Sequence, residues 1–314
     1  MRKWCIVLPA VLLVFIQASL TGNAPKDKVA LGRHLFFDPI LSRDKTISCG
    51  SCHQPAYAFA DTLAVSRGVK KRKGKRNTPS VMNITGLPYF FWDGRSASLE
   101  EQALAPIANP DEMDLPVHLA VQRLNANKNY KAWFRDIFHS EATANNLAQA
   151  IAAFERTLET SNSAFDDWKM NNNNNAVSEA AKRGFVLFGK KGKCTQCHFG
   201  ADFTQHQFKN IGLFNGKDLN DSGRMAISGN AADIGKFKTP GLRNIAVTAP
   251  YMHNGMFNTL AEVIEFYNDP EKRIPHSINR DTVLLKPLGL TNDEKKDLEA
   301  FLLSLTDQQF LQKK

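Results

Sequence analysis

The chain has 314 residues, of which 43% are hydrophobic and 23% charged, with a formal net charge of +9. Beyond Leu20 no stretch is apolar for long enough to span a bilayer, which excludes a membrane-embedded function. The length allows two domains.

The first three residues, Met1-Arg2-Lys3, precede an apolar run from Trp4 to Leu20. A basic start followed by an apolar run predicts a secretory signal peptide over residues 1–24, cut somewhere between 18 and 24. Its removal takes Arg2 and Lys3 with it, lowers the charge to +7, and predicts a periplasmic product that does not span the membrane. Cys5 also leaves. All four remaining cysteines then sit in two pentads, Cys49-Gly-Ser-Cys52-His53 and Cys194-Thr-Gln-Cys197-His198. Four cysteines in an oxidising compartment ordinarily suggest disulfides, but none is left over once both pentads have another use.

The segments around the pentads repeat in order. "ALGRHLFFDP", the first pentad, "NTPSVMNITGLPYFFWDG" and "LEE" are answered by "RGFVLFGKKGK", the second pentad, "KTPGLRNIAVTAPYMHNG" and "LAE". Order kept across unrelated residue types predicts tandem duplication. The expected domains are residues 25–168 and 176–314, joined by a linker at 169–175 that holds the polar run Asn171–Asn175. Apolar residues recur at helical spacing over Asn146–Phe154 and Lys295–Leu305. Ser98 with Glu101, Thr259 with Glu262 and Thr291 with Glu294 are capping-box pairs at helix starts. Strand signals are few, so the expected fold is all-α, two c-type-cytochrome-like domains.

Cys-x-x-Cys-His is the attachment sequence of c-type haem. Two thiols at that spacing add to the two vinyl groups of one porphyrin, and the following histidine becomes the proximal iron ligand. His53 and His198 are therefore the expected ligands of haem 1 and haem 2. A zinc ribbon requires its cysteine pairs far closer together, and a thioredoxin-like pair requires a βαβ setting. An exported two-haem cytochrome is either an electron carrier, with both irons closed, or an enzyme, with one open.

The two pentads, "LFFDPILS", "RNTPSVMN", "FWDGRSASLEEQALAPIANPDEM" and "TPGLRNIAVTAPYMHNG" together resemble the bacterial di-haem cytochrome c peroxidase superfamily over nearly the whole mature chain. The resemblance implies that haem 1 meets hydrogen peroxide while haem 2 relays electrons. It implies that Trp92 lies between the haems and that Gln102, Pro106 and Glu112 form the distal pocket of haem 1. It also implies a calcium ion held by Asn77 and the carbonyls of Thr248 and Pro250. Read from the residues alone, Trp92 fits a core aromatic, and Gln102 and Glu112 read as solvated helix and loop residues. A carboxylate over an iron nevertheless suits the proton transfer that peroxide cleavage requires.

Two positions depart from the family pattern. The loop "VSRGVKKRKGKRN" contains no histidine, which implies that haem 1 has no sixth protein ligand. Fourteen residues after His253, where the family usually has a methionine ligand to haem 2, stands Tyr267. Leu260, Val263, Ile264 and Tyr267 share one helical stripe, so the tyrosine points inward either as ligand or as packing. Met252 and Met256 are the alternative ligands. Both departures are shared with MauG-type enzymes, which use peroxide to oxidise residues of a partner protein.

The seven Lys and Arg of residues 67–76 read as a solvated loop, or as a dock for an acidic protein. Nucleic acid is not an expected partner. The expected partners are peroxide with either an electron donor (a small cytochrome c or cupredoxin) or an oxidisable protein. His34, His118, His139, His206 and His276 carry no expected role.

Overall fold

The structure, a computed structural model, describes residues 24–311; the expected signal peptide, Ala24 apart, lies outside them. The first half carries α1 (Lys28–Phe37), the single turn α2 (Cys49–Cys52), α3 (Leu99–Ala108), α4 (Val117–Ala126), α5 (Lys128–Phe138) and α6 (Ala144–Glu155). The second carries α7 (Ala164–Met170), α8 (Glu179–Gly189), α9 (Met225–Ser228), α10 (Leu260–Asn268), α11 (Pro270–Arg273), α12 (Asn292–Leu303) and α13 (Gln308–Leu311). Two residues of β1 (Phe208–Lys209) pair antiparallel with β2 (Phe237–Lys238). The fold is all-α, and no described helix is long and apolar enough to cross a membrane.

Helices begin where side chains accept the N–H groups that a first turn leaves unpaired. Thr259 accepts from the Glu262 N–H while the Glu262 carboxylate accepts from the Thr259 N–H, and Thr291 with Glu294 does the same. At Ser98 the hydroxyl accepts from the Glu101 N–H, but the Glu101 carboxylate reaches the Ala97 N–H instead. That expected box is therefore closed one residue earlier.

Two apolar cores form. Leu31, Leu35, Phe36, Phe134, Leu147 and Ile151 are fully buried in the first; Phe188, Phe266, Phe301 and Leu305 anchor the second. Each rests on one close helix crossing. A Cβ at Gly32 of α1 would stand 1.8 Å from the Ala150 carbonyl oxygen of α6, and one at Gly184 of α8 would stand 1.9 Å from the Asp297 carbonyl oxygen of α12. Only glycine permits either approach, so the same crossing is made twice. One glycine-mediated crossing thus recurs in each half.

Where the first core ends differs from the sequence expectation. The division at 168–169 falls inside α7, whose Phe165 packs against Phe185, Phe203 and Phe301 of the second core. The Asn162 N–H donates to the Asp307 carboxylate, and Ser163 pairs with Asp307. The polar run that suggested the linker follows α7 rather than preceding it.

The halves are joined by buried polar contacts. Arg76 donates to Asp221 through Nε at 2.7 Å and to Asp93 through a terminal nitrogen at 2.5 Å. Arg224 donates to the Asp93 and Gly94 carbonyls, both at 2.9 Å. Two backbone bonds are reciprocal: the Asn77 N–H donates to the His253 carbonyl, and the Lys238 N–H donates to the Trp92 carbonyl, each at 2.7 Å. Asn77 precedes the first Thr-Pro and Lys238 the second, so each half ties its Thr-Pro segment to the other's turn.

Candidate functional site

Both pentads open onto one cavity of about 1060 Å³ lined by residues of both halves. That exceeds the roughly 300–1,000 Å³ typical of a single ligand pocket. Cys49, Cys52, His53, Cys194, Cys197 and His198 all line it. Ser48 caps the turn that presents the first pair of cysteines, and its backbone N–H donates to Ser51. The four thiols form no disulfide. Burial pushes Cys52 up to about 11 and Cys194 up to about 12, and raises Cys49 and Cys197 too, so the thiols stay protonated until they are alkylated.

The histidines are held alike. His53 Nδ1 lies 3.0 Å from the Phe59 carbonyl and His198 Nδ1 lies 2.8 Å from the Phe203 carbonyl. A carbonyl only accepts, so Nδ1 carries the hydrogen and Nε2 keeps its lone pair. Burial pushes both imidazoles below the ordinary histidine range, which keeps them neutral. Neutral, oriented imidazoles beside paired thiols are what a c-type haem requires. The residues fit the group.

In the first half of the cavity, α3 and the segment after it present Gln102 and Glu112. Glu112 accepts from the Asn109 amide at 2.6 Å, and burial raises its carboxyl above the ordinary range. Gln102 Oε1 is buried without a partner, and Pro106 shares its wall. The basic loop, expected to be solvated, is in part a structural brace. Val69 is fully buried, its N–H donates to the Glu112 carbonyl at 2.8 Å, and a Cβ at Gly68 would meet that same carbonyl at 2.4 Å. Arg72 bonds Asp114 and Arg76 bonds Asp93 and Asp221, which leaves Arg67, Lys70, Lys71, Lys73 and Lys75 exposed.

In the second half the wall formed by α10 is apolar. Leu260, Val263, Ile264 and Tyr267, the stripe read from the sequence, line the cavity together. Burial raises the Tyr267 phenol well above its ordinary value, with Cys197 and Cys194 close enough to add to the effect. Met252 reaches the same cavity, whereas Met256 packs into the second core. The internal repeat extends here. The same spacing separates Asn77 from Lys238, Trp92 from His253, Ser98 from Thr259, Gln102 from Val263 and Pro106 from Tyr267. Tyr267 thus stands where the first half has Pro106.

Trp92 lies at the seam. Its indole N–H donates to the Asn77 carbonyl at 2.8 Å, and its ring meets that of His253 edge-on at 6.5 Å. His253 in turn stacks on Phe237 at 3.7 Å, and burial pushes its imidazole down to about 4. Asn77, Thr248 and Pro250 also share the cavity wall; the Asn77 amide nitrogen donates to the Leu63 and Ala64 carbonyls, both at 3.3 Å.

Three lining residues carried no expected role: His253, Lys238 and Glu155. Lys238 carries an ammonium that burial alone pushes down to about 8. Glu155 ends α6 and is 4% exposed.

Two Cys-x-x-Cys-His turns facing one cavity, in an all-α fold made twice, define a di-haem c-type cytochrome architecture. Comparison with known proteins narrows this. The family described as di-haem cytochrome c peroxidase matches residues 26–175. The methylamine utilization protein MauG of Methylorubrum extorquens is 40% identical over 282 residues, covering 89% of this chain and 78% of that one. The cytochrome c551 peroxidase of Nitrosomonas europaea is 37% identical over 297 residues, covering 94% of this chain and 84% of the other. The crystal structure of a MauG-like protein associated with microbial copper homeostasis superposes with a TM-score of 0.81 at 32% identity, covering 91% of each chain. The chain belongs to the di-haem cytochrome c peroxidase family, in its MauG-like branch. It is an oxidoreductase that acts on peroxide, with two c-type haems and a protein partner.

Proposed function

We propose that peroxide is cleaved in the first half of the cavity and that electrons reach it through the second. The observation that carries this reading is the pairing of Pro106 with Tyr267 at equivalent positions. Proline has no side-chain donor to offer an iron, and the loop over residues 65–76 contains no histidine, so the first site is open. Tyr267 would close the second. Haem, held at Cys49, Cys52 and His53 and again at Cys194, Cys197 and His198, supplies the iron that binds peroxide and exchanges electrons.

The chain supplies the protons. Glu112, half-buried and fixed by Asn109, takes the proton of one peroxide oxygen and returns it to the departing oxygen. Gln102 Oε1, which has no protein partner, accepts a hydrogen bond from bound peroxide and orients it. Two electrons and two protons convert one peroxide to two waters. Trp92, held by Asn77 in its own half and meeting His253 across the seam, carries electrons between the halves. Asn77, whose amide nitrogen is held by the Leu63 and Ala64 carbonyls, would with the Thr248 and Pro250 carbonyls hold a calcium ion at the same seam.

Tyr267 favours MauG-type use of the peroxide, with residues of a partner protein as the source of electrons. A phenolate ligand lowers the iron potential relative to a thioether, which disfavours acceptance from a mild donor. The signal-like start supports a periplasmic location for this work. The test is Glu112→Gln in protein carrying both haems. Stopped-flow mixing should show the peroxide reaction slowed by about 100- to 10,000-fold. An unchanged rate would return Glu112 to a packing role and sink the assignment.

A further inference from the structure

We propose that Glu155 is the redox-linked proton site of haem 1, a carboxyl that binds one proton when that haem gains an electron and releases it on oxidation. The inference rests on the reading that the first pentad holds haem 1.

Glu155 is the last residue of α6 and lines the cavity with Cys49, Gln102 and Glu112. Only 4% of it is exposed, and its Oε2 is buried without any hydrogen-bond partner. Neither nearby charge pairs with it. Arg156 spends both terminal nitrogens on Glu100 of α3, at 2.7 and 3.0 Å. From α2 it faces Cys49, which stops titrating once it forms a thioether. Helix α1 offers Phe36 and Phe37, which pack on Phe154, and α4 offers buried Ala120 and Leu124, its Arg123 being turned to the Ile40 and Ser42 carbonyls.

The duplicated half supplies an internal control. Ala150 and Phe154 meet Gly32 as Asp297 and Phe301 meet Gly184, so the counterpart of Glu155 is Leu302. Leu302 is buried and lines the cavity in the same way. The scaffold therefore needs only an apolar filler at this position. The first half carries an acid there, and burial pushes that acid up to about 8.

An ionised carboxylate buried without donors is costly, so the group holds a proton whenever its surroundings allow. An electron arriving at the adjacent haem adds negative charge in a low dielectric and strengthens that hold. The electron comes from an external one-electron donor and stays on the iron; the proton comes from solvent and forms one O–H bond on Glu155. Oxidation reverses both.

The experiment is a spectroelectrochemical titration of the two-haem protein from pH 6 to 9, resolving the two haems, for wild type, Glu155→Gln and Glu155→Leu. In wild type the haem 1 potential should fall as pH rises, approaching one proton per electron near pH 8. Both variants should lose that slope, and haem 2 should be indifferent. A flat wild-type haem 1, or an equal slope in the variants, overturns the proposal. Pyridine haemochrome counts of two haems per chain establish assembly, and Glu155→Gln, nearly isosteric, serves if the leucine does not fold. A wild type that ignores peroxide yet keeps the slope would refute the peroxide reading and leave this one standing.

Discussion

Gly32 under Ala150 and Gly184 under Asp297 are one helix crossing made twice, and the histidine of each pentad hangs from one backbone carbonyl. The cavity-facing positions beyond that scaffold diverge. Gln102 answers to Val263, Pro106 to Tyr267, Glu155 to Leu302 and Trp92 to His253. The first half's cavity lining carries two buried oxygens without partners, Gln102 Oε1 and Glu155 Oε2; in the second the α10 stripe is apolar and ends in the Tyr267 phenol. What holds a haem is therefore shared, and what the haem does is written in a handful of side chains. Unpaired buried polar atoms are costly, and the two that belong to cavity-lining residues, Gln102 Oε1 and Glu155 Oε2, both lie in the half assigned to chemistry.

The sharpest way to break this comparison is to remove one haem at a time. Cys49→Ala with Cys52→Ala should abolish the peroxide reaction, whereas Cys194→Ala with Cys197→Ala should leave the first encounter with peroxide and abolish repeated turnover. Single-mixing and steady-state assays on variants with verified haem content separate the two. Equal losses would mean that the halves share one function.

A smaller effect is expected at Tyr267. Tyr267→Met should raise the haem 2 potential by a fraction of the ~0.8 V range that axial ligands command, because a thioether stabilises ferrous iron better than a phenolate does. Redox titration that shows no shift would make Tyr267 packing and turn attention to Met252.

The smallest effect concerns His253, which sits where the first half has Trp92. Its folded-state value lies near 4, below the ordinary 6.5, so the unfolded chain binds its proton first as pH falls. The stabilising preference for the neutral ring is complete above pH 6.5 and is lost between 6.5 and 4, by at most about 3 kcal/mol. Urea titrations at pH 7 and pH 4.5 should show that loss in wild type and a reduced one in His253→Phe.

Much of this was legible in the sequence because it is local. Cys-x-x-Cys-His fixes its own geometry, the Thr259 and Thr291 boxes form within one turn, and the stripe from Leu260 to Tyr267 needs only helical spacing. The illegible parts depend on what folds over them. Val69 lies among seven basic residues yet is fully buried, because its loop closes on the Glu112 backbone. Glu155 ends an apolar helical run and reads as the polar residue that stops it; only the crossing with α1 shows that it faces inward. The α7 aromatics precede the polar run, so a division drawn on composition fell on the wrong side of Phe165.

The reciprocal bonds, Asn77 to His253 and Lys238 to Trp92, have the pattern of an isologous interface, where one residue meets a second and the second's counterpart meets the first's. Within one chain the arrangement amounts to a homodimer whose subunits have been fused. A true symmetric dimer must carry the same side chain on both sides of its axis. It would be obliged to open both irons or to close both. Covalent fusion lifts that constraint while keeping the interface, and a proline and a tyrosine are free to occupy the two copies of one position.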